Sequence, residues 1–588
     1  MDRRYRSLVI ICVAALAGIV VYHAAPAEMQ PGVYQITLNI DSPTIQVSHN
    51  FTIQFVTSGT ANQVQVSFIG PATNVTLRYA DMVILAPGSQ MTLTVIATGD
   101  PLISSQITAT IRGEGDFVRF LRPTRQTQQT FRIDYQPPAR NQFASFVLVF
   151  VAILWFTEGV PLVATSLLIP VLVVLLGIGN PTSTLASYFD PAVVLILGGF
   201  MIARAIDKYE LDRRLALLIL AKGASSGPRL VLVVMCVGAF LSMWMSNTAA
   251  AAIMIPIALA LISKIKTQDV RERYGKAIIL GAAYSATLGG IGTLVGSPPN
   301  PLAAAYAKSF LGIEISFVSW LPFGLPVMII MILFAWRWLI IRFRLPTDIA
   351  EIRELKTASE EEYRRLGPMT LQERVVTLVF SAVMLLWLTE RLPDFLASLV
   401  GWSGHGISSS IVALMGGFVL LSIGYLDEKD MSSGINWSSL LILGSGIALG
   451  EVMFTTGLST QIAEQMQGLG VLPAPLVVII IGTVAVLVTM IASNTGAAVI
   501  LIPVAIPLAT SLGIDPLLVV MTIAICVSMD FALPTGTPPS TIAYSTGHVK
   551  LREMISTGLV IDLIAILVVT VIGVTLWGLL GLVSLGYM

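Results

Sequence analysis

Ser246-Asn247-Thr248-Ala249-Ala250-Ala251-Ala252-Ile253-Met254-Ile255-Pro256 and Ser493-Asn494-Thr495-Gly496-Ala497-Ala498-Val499-Ile500-Leu501-Ile502-Pro503 are two copies of one segment, placed far apart in the chain. Each sets a polar triplet inside a run otherwise apolar enough to belong to a bilayer. Polar groups in such surroundings are costly unless they bind something, so a duplicated Ser-Asn-Thr points to a ligand. The runs that carry the triplets, 229–263 and 475–512, are too long for one span of roughly 20 residues. Each is therefore expected to be a re-entrant hairpin with the triplet at its tip.

Composition fits this setting. The mean hydropathy is +0.83. Hydrophobic residues make up 55% of the chain and charged residues 12%, against about a quarter charged in soluble domains. The chain is expected to be a polytopic membrane protein. With a net charge of zero and basic residues in short clusters, nothing points to a nucleic-acid partner and none is expected. Cys12, Cys236 and Cys526 lie in apolar runs, and His23, His49, His405 and His548 lack ligand spacing, so no metal or redox cluster is expected. Nothing suggests an enzyme or an organic cofactor.

Outward from the triplets the chain divides into five regions. Residues 1–29 read as a first transmembrane helix: Arg3, Arg4 and Arg6 precede an apolar run, although Ala24-Ala25-Pro26-Ala27 also resembles a signal-peptide cleavage site. Residues 30–138 alternate apolar and polar positions, as in Val33–Ile40, Phe51–Phe55, Gln63–Phe68, Met91–Ile96 and Gln106–Ile111, and are expected to form an extracytoplasmic β-sandwich domain that binds or packs. Residues 139–345 and 371–588 are two repeats separated by a linker, 346–370. Hydropathy gives eleven spans and two re-entrant hairpins. Under the positive-inside rule this count puts the N-terminus and the clusters 208–214, 264–276, 342–374 and 548–552 in the cytoplasm, and the β-domain and C-terminus outside.

A second pair of breaks follows the first. Gly292–Asn300 contains Gly296-Ser297-Pro298-Pro299, and Pro534–Ser540 contains Gly536-Thr537-Pro538-Pro539. Adjacent prolines cannot continue a helix and glycine allows unusual backbone angles, so both spans should unwind. Unwound backbone at membrane depth is tolerated where it lines an enclosed cavity. Matched breaks in two halves are the sequence mark of a secondary transporter's central site. Hydroxyls, amide oxygens and freed carbonyls suit a small hard cation. Amide NH2 groups and the positive ends of half-helices suit an oxyanion. Without a fixed lysine or arginine, such a site should bind its anion and cation together.

These motifs, with Trp155-Phe156-Thr157-Glu158-Gly159-Val160-Pro161, Leu197–Phe200 and Leu211-Asp212-Arg213-Arg214, resemble the divalent anion/sodium symporter family, whose members carry di- and tricarboxylates or sulfate; the resemblance covers about 143–583. It implies Na+ as coupling ion, a homodimer in the plasma (inner) membrane, and an elevator-type movement of an inverted-repeat, all-α transporter. Carried over by motif, one Na+ site would comprise Ser242, Ser246, Asn247 and Gly296, and the other Thr489, Ala492, Asn494 and Gly536. Substrate would meet Asn247, Thr248, Ser297, Pro298, Asn494, Thr495, Thr537 and Pro538.

The β-domain departs from the family pattern, as do Gly496 opposite Ala249 and Ser540 opposite Asn300. Asp530 stands where Gly290 stands in the first half, and a carboxylate at that depth marks an ion path or proton relay, or pairs with a neighbouring helix. Asn50-Phe51-Thr52 and Asn74-Val75-Thr76 are glycosylation sequons. The expected function is Na+-coupled import of a small divalent anion, foremost a C4-dicarboxylate such as succinate, malate or fumarate. The alternatives are a sodium-independent anion exchanger or sulfate transporter on the same scaffold, and a membrane sensor.

Overall fold

A computed structural model describes residues 3–24, nine strands between 32 and 133, and 140–583 apart from 158, 224–225, 348–351, 392–397 and 399. Glu158 of the quoted motif thus lies outside the described residues. The chain opens with a helix, Arg3–Ala24, that packs along the helix Arg140–Thr157.

The structure corrects the expected fold in two ways. The strands are β1 Gly32–Asn39, β2 Ile45–Ser48, β3 Thr52–Thr57, β4 Val64–Ser67, β5 Val75–Tyr79, β6 Met82–Leu85, β7 Gln90–Ala97, β8 Ile107–Gly115 and β9 Arg125–Ile133. They pair as three separate three-stranded sheets, ordered β1-β7-β4, β2-β6-β5 and β3-β8-β9, and not as the two facing sheets of a β-sandwich. Alternation of apolar and polar residues marks a strand locally and carries no information about which strands share a sheet.

Fewer helices than the eleven expected spans have the length of a full crossing. Among the described residues six helices are long and apolar enough to cross a membrane: Pro181–Lys208, Phe317–Phe343, Leu371–Leu388, Trp437–Thr455, Asn494–Ser511 and Leu551–Trp577. Other apolar segments, including Leu162–Leu175 and Ser409–Ser422, are shorter helices. Hydropathy registers apolar length but not where a helix stops.

Nine helices build the paired region. In the first half they are α1 Gly227–Ser242, α2 Asn247–Ser263, α3 Gln268–Gly290 and α4 Pro299–Leu311. In the second they are α5 Ala474–Thr489, α6 Asn494–Ser511, α7 Pro516–Cys526 and α8 Pro538–Ser545, followed by α9 Leu551–Ile572. Small residues allow close crossings: a Cβ on Gly289 of α3 would stand 2.3 Å from the Ala239 carbonyl oxygen of α1.

Charged side chains cluster at helix ends. Arg214 and Glu373, both buried, pair at 2.9 Å. Asp430 accepts from Arg204 at 3.0 Å and from Lys208 at 2.5 Å, and Lys276 pairs with Glu553 at 2.8 Å. Asp212, on the helix Leu211–Gly223, is buried and only its Oδ1 is engaged, by the Arg213 backbone NH at 2.7 Å.

Burial pushes the Asp212 carboxyl up to about 6. A raised folded-state value means that this group's contribution is fully present at low pH and is lost as pH rises from the unfolded value of about 4 through 6. Asp212→Asn is expected to raise the melting temperature above pH 6 and to flatten its fall between pH 4 and 6. Parallel melting curves for variant and wild type across that window would contradict this.

Candidate functional site

Both triplets interrupt their helices at the expected place. α1 ends at Ser242 and α2 begins at Asn247; α5 ends at Thr489 and α6 begins at Asn494. Ser246 caps α2 with φ −61° and ψ 146°, accepting from the Ala249 NH at 3.2 Å. Ser493 caps α6 with φ −66° and ψ 147°, accepting from the Gly496 NH at 3.2 Å. A serine at this position satisfies one of the free NH groups at a helix start, which is one reason each chain run breaks here.

The asparagine that follows each cap is held in the same way in both halves. Ser242 Oγ stands 2.8 Å from Asn247 Oδ1 and 2.5 Å from the Ala286 carbonyl. Thr489 Oγ1 stands 2.9 Å from Asn494 Oδ1 and 2.7 Å from the Val527 carbonyl. One hydroxyl thus ties each hairpin tip to the end of the helix that enters the facing break. The side-chain amide lies at the positive end of α2 or α6.

The breaks also form. Residues 291–298 carry no long helix, and Asn300 closes them by donating to the carbonyls of Gly290 at 2.9 Å and Thr293 at 2.7 Å. Thr293 in turn donates to the Met243 carbonyl at the hairpin turn, at 2.5 Å. A Cβ on Gly296 would meet the Gly290 carbonyl at 2.6 Å and the Ser242 carbonyl at 2.9 Å, and one on Gly290 would meet Asn247 Oδ1 at 2.3 Å. Oxygens of tip and break therefore converge around two glycines that admit no side chain. In the second half Thr537 caps α8, and Asp562 of α9 accepts from the Phe531 NH at 2.9 Å. Ser297 and Ser528 hydroxyls, 3.3 Å apart, join the two breaks.

Not every expected residue faces an open surface. Thr248 and Pro538 are exposed, while Ser246, Asn247, Pro298, Asn494 and Gly536 are half-buried. Ser297, Thr495, Thr537 and Ala492 are buried; Ser297 meets Ser528 and Thr537 meets Ser540 Oγ at 3.0 Å. Asp530 is fully buried, and a Cβ on Gly536 would fall 1.3 Å from its Oδ2. It therefore fills the space beside the glycine of the second break. Thr293, Ser528, Asp562 and Tyr284 belong to the same region but were not among the expected residues. Of these Asp562 carries a sequence signal, as a lone carboxylate in the last apolar run.

Among the described residues no cluster of histidine, cysteine and acidic side chains is suited to a bound metal of the enzymatic kind. What the arrangement offers is hydroxyl, amide and carbonyl oxygen at two pseudo-equivalent points, the chemistry of a small hard cation beside an oxyanion.

Residues 137–583 match the family described as the sodium:sulfate symporter transmembrane region. A "sodium-dependent dicarboxylate transporter SdcS" of Staphylococcus saprophyticus is 32% identical over 463 residues, covering 74% of this chain and 87% of that protein. Its Staphylococcus aureus counterpart is 30% identical, covering 74% and 86%. An uncharacterized transporter of Haemophilus influenzae is 32% identical over 459 residues, covering 76% and 93%.

Proposed function

The chain belongs to the sodium:sulfate symporter family and is a transporter, not an enzyme, and from that premise we propose that it imports a C4-dicarboxylate together with Na+. The observation that carries this reading is the repeated tip-and-break geometry, in which Asn247 and Asn494 are each fixed by a hydroxyl five residues earlier and set at a helix N-terminus.

One Na+ would sit among Ser242, Ser246, Asn247 and Gly296, and another among Thr489, Ala492, Asn494 and Gly536. In the first half the convergence of the Ser242 and Gly290 carbonyls on Gly296 supports that assignment. The carboxylates of the substrate would meet the amides of Asn247 and Asn494, with Thr248, Pro298 and Pro538 around them. Ser297, Thr495 and Thr537 would act from behind, by shaping the breaks. Among the described residues the ion pairs lie elsewhere, so bound Na+ supplies the positive charge that an anion needs. The similarity to two sodium-dependent dicarboxylate transporters supports both substrate and ion.

An elevator-type displacement, a homodimer, and placement of the basic clusters on the cytoplasmic face of the plasma membrane complete the reading. A cavity of about 450 Å³ between Asp212, Arg213 and Leu217 on one side and Ala252, Pro256 and Lys264 on the other supports the first of these. It separates the hairpin arm α2 from the helix Leu211–Gly223, where a moving body would part from a fixed one.

Purified protein in liposomes, offered succinate, citrate and sulfate in turn, tests the proposal. Succinate should accumulate under an inward Na+ gradient and remain near background in choline. Equal uptake in choline with dicarboxylate inside would establish an exchanger, and preference for sulfate would favour the anion in the family's description.

Asn247→Ala and Asn494→Ala are each expected to lower this uptake at least tenfold without unfolding the protein. Each removes an amide that faces cation and anion, and an unpaired buried group costs about 1 to 3 kcal/mol. Normal initial rates in either variant would make its triplet a packing feature.

A further inference from the structure

Behind the second break, three polar side chains from three elements are buried around Phe531 with oxygens left over. Asp530 comes from the break, Asp562 from α9 and Tyr284 from α3. Their side chains are buried, at 0%, 1% and 0% exposure. Neither oxygen of Asp530 has a hydrogen-bond partner of normal geometry, although the NH groups of Ala532 and Leu533 face it. Asp562 spends Oδ1 on the Phe531 NH and leaves Oδ2 without a partner. The Tyr284 hydroxyl also has none, and it lies within electrostatic reach of both carboxylates. Its ring stands edge-on against Phe531, with centroids 5.2 Å apart, and Phe531 follows Asp530 in the chain and gives its NH to Asp562.

Among the described residues no lysine, arginine or histidine bears on either carboxylate. Buried carboxylates are costly unless a cation, a proton or a set of donors compensates them, and here two of them lie within electrostatic reach of an unused hydroxyl. We infer that Asp530, Asp562 and Tyr284 form a third Na+ site, beside the second tip-and-break site and sharing its edge at Gly536.

The residues fit the ion. Carboxylate and phenol oxygens are hard donors, and the site's negative charge distinguishes it from the neutral oxygens of the paired sites. The first half has no equivalent, because Gly290 stands where Asp530 does. Coupling to a third Na+ would make import of a dianion electrogenic. This inference rests on the Na+-coupled reading, but its test is independent of substrate.

Equilibrium binding of radiolabelled Na+ to purified protein, with no anion substrate, measures it. Asp562→Asn keeps an oxygen for the Phe531 NH while removing the charge. Saturating Na+ per protomer should fall by one relative to wild type. Tyr284→Phe removes a single oxygen and should weaken the same class of sites by about tenfold, and it decides the matter if Asp562→Asn aggregates. Equal Na+ counts and affinities in wild type and the folded variants overturn the site, including the case in which a shared proton holds the two carboxylates. Failure of wild-type liposomes to couple succinate to Na+ would instead sink the transport reading, and the Na+ count would still stand on its own.

Discussion

Gly536→Ala is expected to cut Na+-driven succinate uptake by roughly ten- to a hundredfold. The added Cβ would fall 1.3 Å from Asp530 Oδ2 and 2.2 Å from its Cγ, so the carboxylate must leave its place. Displacing a buried polar group costs about 1 to 3 kcal/mol, which spans that range. Gly290→Ala is the matching change in the first half, where the new atom would fall 2.3 Å from Asn247 Oδ1 and push the amide off its hydroxyl partner. Gly312→Ala serves as contrast. Gly312 ends α4 with φ 70° and has nothing within 4 Å of its would-be Cβ, so alanine there strains one backbone position and should leave the Na+ dependence intact. Initial rates at several Na+ concentrations distinguish these outcomes, and wild-type Na+ activation in both Gly536→Ala and Gly290→Ala would dissolve the link between breaks and ions.

Arg214→Ala is expected to destabilise the folded protein by about 3 to 5 kcal/mol, the usual cost of leaving one member of a buried ion pair alone. Arg214 donates to Glu373 at 3.0 and 3.2 Å and to the carbonyls of Gly367 and Leu366 at 2.9 and 3.3 Å. Glu373 in turn caps its own helix by accepting from the Thr370 NH at 2.6 Å. Losing the guanidinium therefore strands a buried carboxylate and loosens a helix start and a connecting segment together. Replacing both residues by methionine should recover much of the loss, because no uncompensated charge remains. Thermal unfolding in detergent is the readout, and an unchanged melting temperature in Arg214→Ala would contradict the argument.

The site was legible to the extent that its signals are local. Ser246-Asn247-Thr248 and Ser493-Asn494-Thr495 each combine a helix cap with a polar interruption, and Pro298-Pro299 and Pro538-Pro539 forbid a continuous ladder. The helices stop and restart at those residues. Side-chain direction was not legible: nothing in Gly296-Ser297-Pro298 shows that Ser297 turns inward toward Ser528, 231 positions away. Asp562 stands out in the sequence only as a lone carboxylate in an apolar run, and its partner, the Phe531 NH, is delivered by the fold. Each of the five segments read as strands overlaps a strand, yet the division into three sheets depends on pairings such as β1 with β7 that alternation cannot specify. Ser242 and Thr489, both in apolar runs, end helices just ahead of the triplets, as the hairpin reading of those runs requires.

The central claim is that the duplicated tips and breaks bind cation and anion as one unit. Calorimetric titration of succinate into purified protein, in NaCl and in choline chloride at equal ionic strength, tests it most directly. Succinate affinity should rise at least about tenfold with Na+, and by linkage succinate should tighten Na+ binding by the same factor. Equal succinate affinity in the two salts would contradict the account.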